Sequence, residues 1–296
     1  MELGDKMEDA APKPKMQLWI KLLILLFVLI TSTILYARYV ATSGLIVREY
    51  LIVDKNLPES FSGMKIVHIS DIHYGQTTNK KELTKIVKQV NEYNPDIIVI
   101  TGDLLDKDKV YTGDEILELE NTLKKLRARF GKYIIMGNHD NTQDMYKQIV
   151  YNSNLIDLDD TYQTIYYGGM TPILIAGMST GENRHNQQQE KIADAIIASR
   201  ELIIPFNILI MHEPDYIDKI EYENFQLILA GHSHGGQVRF PFLGPIKRNL
   251  HAKKYNYGHY ELGPTNIYVS SGVGTTNFKF RLFNRPSINV YRLVEK

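Results

Sequence analysis

Hydrophobic and polar positions divide the chain into three regimes. Residues 1–17 are polar, mixed in charge and carry two prolines, a composition that predicts a disordered tail. Leu18 to Tyr36 is then almost wholly apolar, with Lys21 its only charge. From about Leu45 onward, short apolar runs alternate with amphipathic stretches.

About 20 apolar residues cross a bilayer, so a transmembrane helix fits residues 18–38 if Lys21 carries its ammonium to the interface. Trp19 and Tyr36 stand at the two ends, where amphipathic aromatics favour headgroups. Two other readings compete. A core helix would keep a polar face, which this run lacks. A cleaved signal peptide would have an apolar region of about 7–15 residues and a small-residue cleavage site, and no convincing one follows. An uncleaved anchor accounts best for the pattern. Lys13, Lys15 and Lys21, against Arg38 and Arg48 beyond the span, favour a cytoplasmic N-terminus and an exported remainder.

Beyond the anchor, the apolar runs Ile66–Ile69, Ile97–Ile100, Tyr133–Met136, Ile208–Met211 and Leu227–Ala230 read as buried strands. Leu83, Ile86, Val87 and Val90 share one helix face; Ile116, Leu119, Leu123 and Leu126 share another. Residues 162–178 and 265–293 read as strands and turns. One α/β domain over 45–296 is the simplest account.

Composition adds two exclusions. The 34 basic and 34 acidic residues balance, so no net field draws the chain to nucleic acid, and none is expected as a partner. The chain has no cysteine, which excludes disulfides, thiolate ligands and a cysteine nucleophile. Any metal must be held by His, Asp, Glu or Asn, which points to manganese, iron or zinc.

Five short motifs follow the predicted strands: Asp71-Ile72-His73, Gly102-Asp103-Leu104-Leu105-Asp106, Gly137-Asn138-His139-Asp140, His212, and Gly231-His232-Ser233-His234. Ligands gather at the carboxyl ends of strands in α/β folds, so five such ends would build one nest of oxygen and nitrogen donors. In an extended segment, the residues flanking the x of D-x-H and H-x-H point the same way. Each motif alone is weak, since most such groups are surface or turn residues. Together they hold five of the nine histidines, and scattered solvent histidines do not explain that.

This ordered set resembles the calcineurin-like metallophosphoesterase superfamily over essentially the whole chain after the anchor. The stretches Gly231–Ile246, Tyr268–Thr276 and Arg281–Ile288 further resemble its bacterial membrane-anchored phosphodiesterase branch, which includes UDP-diacylglucosamine hydrolases. The resemblance implies a two-sheet β-sandwich flanked by helices and two divalent metal ions, with manganese favoured over iron or zinc. It implies that Asp71, His73 and His234 hold one ion and Asn138, His212 and His232 the other, with Asp103 bridging. A water activated by both ions would attack phosphorus, His139 would protonate the leaving group, and Asp140 would orient His139. Asp106 would steady the loop carrying Asp103.

The expected activity is a phosphodiesterase or pyrophosphatase on a lipid-linked or cell-envelope substrate. Rival readings are a broad-specificity or nucleotide phosphatase and, in another class, a binding scaffold, which the complete ligand set disfavours. Lys107 and Asp140 depart from the Ser/Thr protein phosphatases, and Asp106 replaces the metal-binding Tyr of purple acid phosphatases. Ser271 and Ser287 stand where the related branch often has Arg and Glu, which implies the loss of one phosphate contact. Arg281, Lys247 and Arg248 are candidate substrate contacts. The basic, tyrosine-rich loop from Pro241 to Gly263 reads equally as an anionic-headgroup wall or a solvated loop. His68 is expected inside a strand and His185 in a loop. Nothing in the sequence sets an oligomeric state.

Overall fold

The computed structural model describes residues 16–140, 143–180, 189–199 and 203–296; residues 1–15 of the expected tail, and His185, lie outside them. Helix α1 (Leu18–Leu35) is followed by strands β1 (Ile46–Asp54) and β2 (Lys65–Ile69) and helix α2 (Lys80–Glu92). Next come β3 (Ile97–Thr101), α3 (Gly113–Leu123), β4 (Gly131–Ile135), α4 (Gln143–Asn152), β5 (Ile156–Asp157), β6 (Thr161–Ile165), β7 (Ile173–Met178) and α5 (Gln189–Ser199). The chain closes with β8 (Asn207–Met211), β9 (Leu227–Ala230), β10 (Arg239–Phe240), β11 (Gly244–Pro245), β12 (Gly258–Leu262), β13 (Thr265–Val269) and β14 (Ser287–Glu295).

Two large sheets result, ordered β1-β14-β2-β3-β4-β5 and β12-β13-β9-β8-β7-β6. Strands β2, β3 and β4 run parallel in the first, and β7, β8, β9 and β13 run parallel in the second. Side-chain alternation explains why the strands read as unbroken apolar runs. Ile97 and Val99 point between the sheets, against Ile208, Ile210 and Leu229. Ile98 and Ile100 point outward, where Leu83, Val90, Leu119 and Leu123 cover them. On the far side of the second sheet, Leu209, Met211 and Ile228 pack with Ala193 and Ile196 of α5. The layering is helix, sheet, sheet, helix.

Two helix starts are written locally. Asn79 with Glu82, and Thr112 with Glu115, each close a reciprocal capping box, and a capping side chain contributes about 1 kcal/mol. Leu126, expected on the face of α3, is buried but lies past the helix end. The expected strand at Tyr133–Met136 starts two residues earlier, at Gly131.

No residue of α1 is buried, which removes the core-helix reading. With the π-helical turn Tyr36–Val40 that continues it, the run Leu18–Val40 is long and apolar enough to cross a membrane. Its foot is seated on the rest of the chain: Ala37 and Ala41 are buried, and the Ala37 carbonyl accepts the Arg281 backbone N–H at 3.0 Å.

His68 sits in β2 as expected, fully buried, its Nε2 2.8 Å from Thr101 Oγ1 and its Nδ1 3.3 Å from Tyr291 Oη. Burial pushes its pKa down to about 3, against about 6.5 in an unfolded chain. Below pH ~6.5 the unfolded chain therefore takes up a proton that the folded chain refuses, and stability falls as pH drops from there toward about 3. Urea unfolding across this window checks it: His68→Gln should show a shallower loss of stability with acid than the parent chain, and equal slopes would show that His68 does not contribute.

Candidate metal centre

The strand ends deliver their side chains to one rim. Asp71 follows β2, Asp103 follows β3, Asn138 follows β4, His212 follows β8 and His232 follows β9. Backbone bonds lace these loops together: Asp71 N–H to Gly102 O, His73 N–H to Asp103 O, Gly231 N–H to His212 O and Gly274 N–H to Asp71 O, at 2.8–3.1 Å. Packing is too close for a side chain at Gly137, whose added Cβ would lie 2.3 Å from the Asp103 backbone nitrogen.

The extended geometry expected for the two D-x-H and H-x-H motifs is corrected. Asp71, His73, Asp103, His232 and His234 all hold left-handed backbone, with φ of 54°, 47°, 54°, 63° and 48°. Such non-glycine residues cost about 1–3 kcal/mol each and persist where surrounding contacts enforce them. Here the interloop bonds do so.

Among the described residues, two donor clusters share the Asp103 carboxylate, and a third, His73, Asp106 and His139, adjoins them. Asp71, His73, Asp103 and His234 offer atoms within 4.8 Å of one another, and so do Asp103, His212 and His232. Asp103 Oδ2 lies 3.4 Å from His73 Nε2 and 3.3 Å from His212 Nε2. The Asn138 amide oxygen lies 3.0 Å from both His212 Nε2 and His232 Nδ1, joining the second cluster. His73 Nε2 and His234 Nε2 face each other at 3.1 Å.

The ring orientations suit cation binding. His212 Nδ1 is 2.7 Å from Thr101 O, and His232 Nε2 is 2.7 Å from Leu250 O; a proton donated to each carbonyl leaves the opposite nitrogen's lone pair facing the cluster. Asp106 Oδ2 lies 3.2 Å from His73 Nδ1 and does the same for that ring. Burial, with His212 beside it, pushes His232 down to about 3, so its ring is a neutral donor at physiological pH. Asp71 Oδ2 is buried without a hydrogen-bond partner, as is His234 Nδ1. A buried carboxylate oxygen left unpaired is costly, and a cation would satisfy it. The donor set fits divalent ions held by imidazole, carboxylate and amide.

His139 adjoins the first cluster, its ring centroid 4.7 Å from that of His73 and its backbone N–H bonded to Asp103 Oδ1 at 2.8 Å. Burial alone would lower its pKa, but the carboxylates of Asp106 and Asp103 hold it above the ordinary histidine value. The expectation that Asp140 orients His139 is corrected. The Asp140 carboxylate accepts the backbone N–H groups of Leu104, Leu105 and Gly137 at 2.8–3.2 Å, tying the Asp103 loop to the Asn138 loop. Asp106 is the carboxylate facing the His139 ring, 3.6 Å from Nδ1.

Of the candidate substrate contacts, Arg281 is corrected outright. It is fully buried, and its Nη2 donates to the carbonyls of Ser271, Gly272 and Gly274 at 2.6–3.1 Å. Burial draws its pKa down to about 10, so it stays charged at neutral pH while bracing the loop that packs on Asp71. Ser271 and Ser287 are buried too, their hydroxyls 2.7 Å apart. Lys247 lines a cavity of about 470 Å³ that also includes His234, Val238, Ile246, Phe278 and Phe280. Arg248 is exposed, its Nη1 donating to Lys253 O at 2.8 Å. The Pro241–Gly263 loop is thus partly structural. Leu250 and Asn249 fix His232, and Asp215 accepts the N–H groups of Lys253, Lys254 and Tyr255.

Residues 64–236 match the family described as calcineurin-like phosphoesterase. An uncharacterized metallophosphoesterase of Bacillus subtilis, YkuE, is 33% identical over 265 residues, spanning 87% of this chain and 88% of its own. A Danio rerio transmembrane protein with metallophosphoesterase domain is 28% identical over 249 residues, 79% of this chain and 54% of that one. The UDP-2,3-diacylglucosamine pyrophosphatase LpxG of Chlamydia muridarum is 24% identical over 291 residues, 81% of this chain and 87% of its own.

The bracing role of Arg281 is testable by thermal unfolding. Arg281→Leu removes the side-chain donor from the buried carbonyls of Ser271 and Gly274, each loss worth roughly 1–3 kcal/mol, while the Gly272 carbonyl keeps the Ser287 N–H, so the melting temperature should drop clearly. An unchanged melting temperature with a raised KM would restore its role as a substrate contact.

Proposed function

The chain belongs to the calcineurin-like phosphoesterase family, and from that premise we propose that it cleaves phosphodiester or pyrophosphate bonds in lipid-linked or cell-envelope substrates. That it is a metal-dependent hydrolase of phosphate esters follows from membership. The observation carrying the finer reading is the pair of donor clusters sharing Asp103, beside a cavity with both basic and apolar walls.

In this reading Asp71, His73 and His234 would hold one ion, Asn138, His212 and His232 the other, and Asp103 both; the oxygen and imidazole donors suit manganese, iron or zinc, and manganese is the ion proposed. Bound divalent cations supply charge neutralisation of the phosphoryl oxygens and a water that is nucleophilic at neutral pH. The chain's own residues do the rest. His139 delivers a proton to the leaving oxygen, and Asp106 holds the ring for that transfer. Asp140 keeps the two loops in register, so that His139 stays beside Asp103.

Two observations support a lipid-linked substrate. The apolar helix Leu18–Val40 is read as a single-pass anchor that keeps the domain beginning near residue 45 beside a bilayer, on its extracytoplasmic side. LpxG, by its name, hydrolyses a pyrophosphate in a diacylated nucleotide sugar.

Kinetics of the purified full chain in detergent with manganese test the proposal. Diesters and pyrophosphates should turn over faster than monoesters of the same alcohols, and chelation should abolish both. His139→Ala should keep its metal and lose about 10²–10⁴-fold in kcat, most for poor leaving groups. A preference for monoesters would make the chain a phosphomonoesterase. A loss independent of the leaving group would remove His139 as the acid.

A further inference from the structure

Beside the metal cavity a short hairpin projects, formed by β10 and β11 with Pro241, Phe242 and Leu243 at its turn. Its tip is unusual for a soluble surface. Phe242 is fully exposed and Leu243 largely so, Phe242 holds a left-handed backbone with φ of 66°, and Ile246, Phe278 and Phe283 stand exposed nearby. Single exposed apolar residues are ordinary, but clustered ones at a projecting turn mark a surface that something apolar covers.

The covering partner is indicated by what the hairpin is tied to. Four consecutive residues join the cavity, the apolar helix and the hairpin. Phe280 lines the cavity; Arg281 donates its backbone N–H to Ala37 O at the helix foot. Leu282 bonds the hairpin's base, accepting from Arg239 and donating to Gln237, and the Phe283 ring lies 6.3 Å from Phe240. The hairpin therefore rises where the membrane-length helix leaves the domain. Lys247 and Arg248 follow it directly, both exposed.

We propose that the Phe240–Ile246 hairpin dips into the bilayer interface beside the anchor, with Lys247 and Arg248 at headgroup level, so that the metal cavity opens at the membrane surface. Aromatic and aliphatic tips settle at this boundary, and flanking cations gain from anionic lipid. A substrate can then keep its apolar tail in the bilayer while its phosphate enters the cavity. The inference rests on reading α1 as an anchor, and the test separates the two.

The full chain is reconstituted into phosphatidylcholine–phosphatidylglycerol vesicles whose acyl chains carry bromine near the headgroup. Trp19 is the protein's one tryptophan and reports on the helix. Trp19→Phe combined with Phe242→Trp reports on the hairpin. Trp19→Phe with Tyr151→Trp is the control, an exposed site on α4, which leads to the sheet edge opposite β1. The expected result is a blue shift and loss of emission for Trp19 and for the indole introduced at 242, with the one introduced at 151 unaffected. Quenching of Trp19 alone, with positions 242 and 151 behaving alike, would overturn the hairpin and leave the anchor. Quenching at 242 without quenching of Trp19 would support the hairpin and overturn the anchor. Quenching at neither would overturn both.

Discussion

One carboxylate shared between two sets of donors organises this molecule. Asp103 Oδ2 stands almost equidistant from His73 on one side and His212 on the other. Asp103 Oδ1 takes the backbone N–H of His139. Negative charge placed this deep is unfavourable unless opposite charge answers it, and the neighbouring unpaired oxygen of Asp71 sharpens the demand. The loops bend to meet it. Five residues of the rim accept left-handed backbone, and the interloop bonds together with the amides on Asp140 hold them there.

The fold makes that bending possible by bringing two sheets to a common edge. Parallel strands end on the same side, so β2, β3 and β4 of one sheet and β8 and β9 of the other release their loops toward one line. The packed layer between the sheets fixes how far apart those ends lie. Close contact between the Gly137 and Asp103 loops then leaves no room for relaxation. Strain at the rim is offset by the rigidity of the strands beneath it.

Much of this was legible in the chain itself. Ile66–Ile69, Ile208–Met211 and Leu227–Ala230 are strands because unbroken apolar runs of that length suit two-sided burial. The motifs after them converge as their positions imply. What resisted reading lay in the backbone and in long-range pairing. Left-handed torsions at Asp71 and His73 leave no mark in an Asp-x-His string, and alternation in an extended segment was the wrong reason for the right neighbours. The carbonyls of Thr101 and Leu250, which set the His212 and His232 rings, belong to residues whose side chains carry no such signal. Arg281 reads as a candidate substrate contact because most arginines are exposed, yet backbone carbonyls and the nearby Asp71 charge let it stay charged inside. Asp140 turns to the loop amides and Asp106, which also accepts the Asp108 N–H in its own loop, is the carboxylate on the His139 side, because which carboxylate faces a ring depends on loop shape, not spacing.

Whether one side chain holds two ions together is best asked by electron paramagnetic resonance of the full chain loaded with manganese. A shared Asp103 should give the multiline spectrum of two exchange-coupled ions, collapsing to that of separate ions when Asp103 is changed to Asn. The spectrum of isolated ions at full loading of the unaltered chain would contradict it.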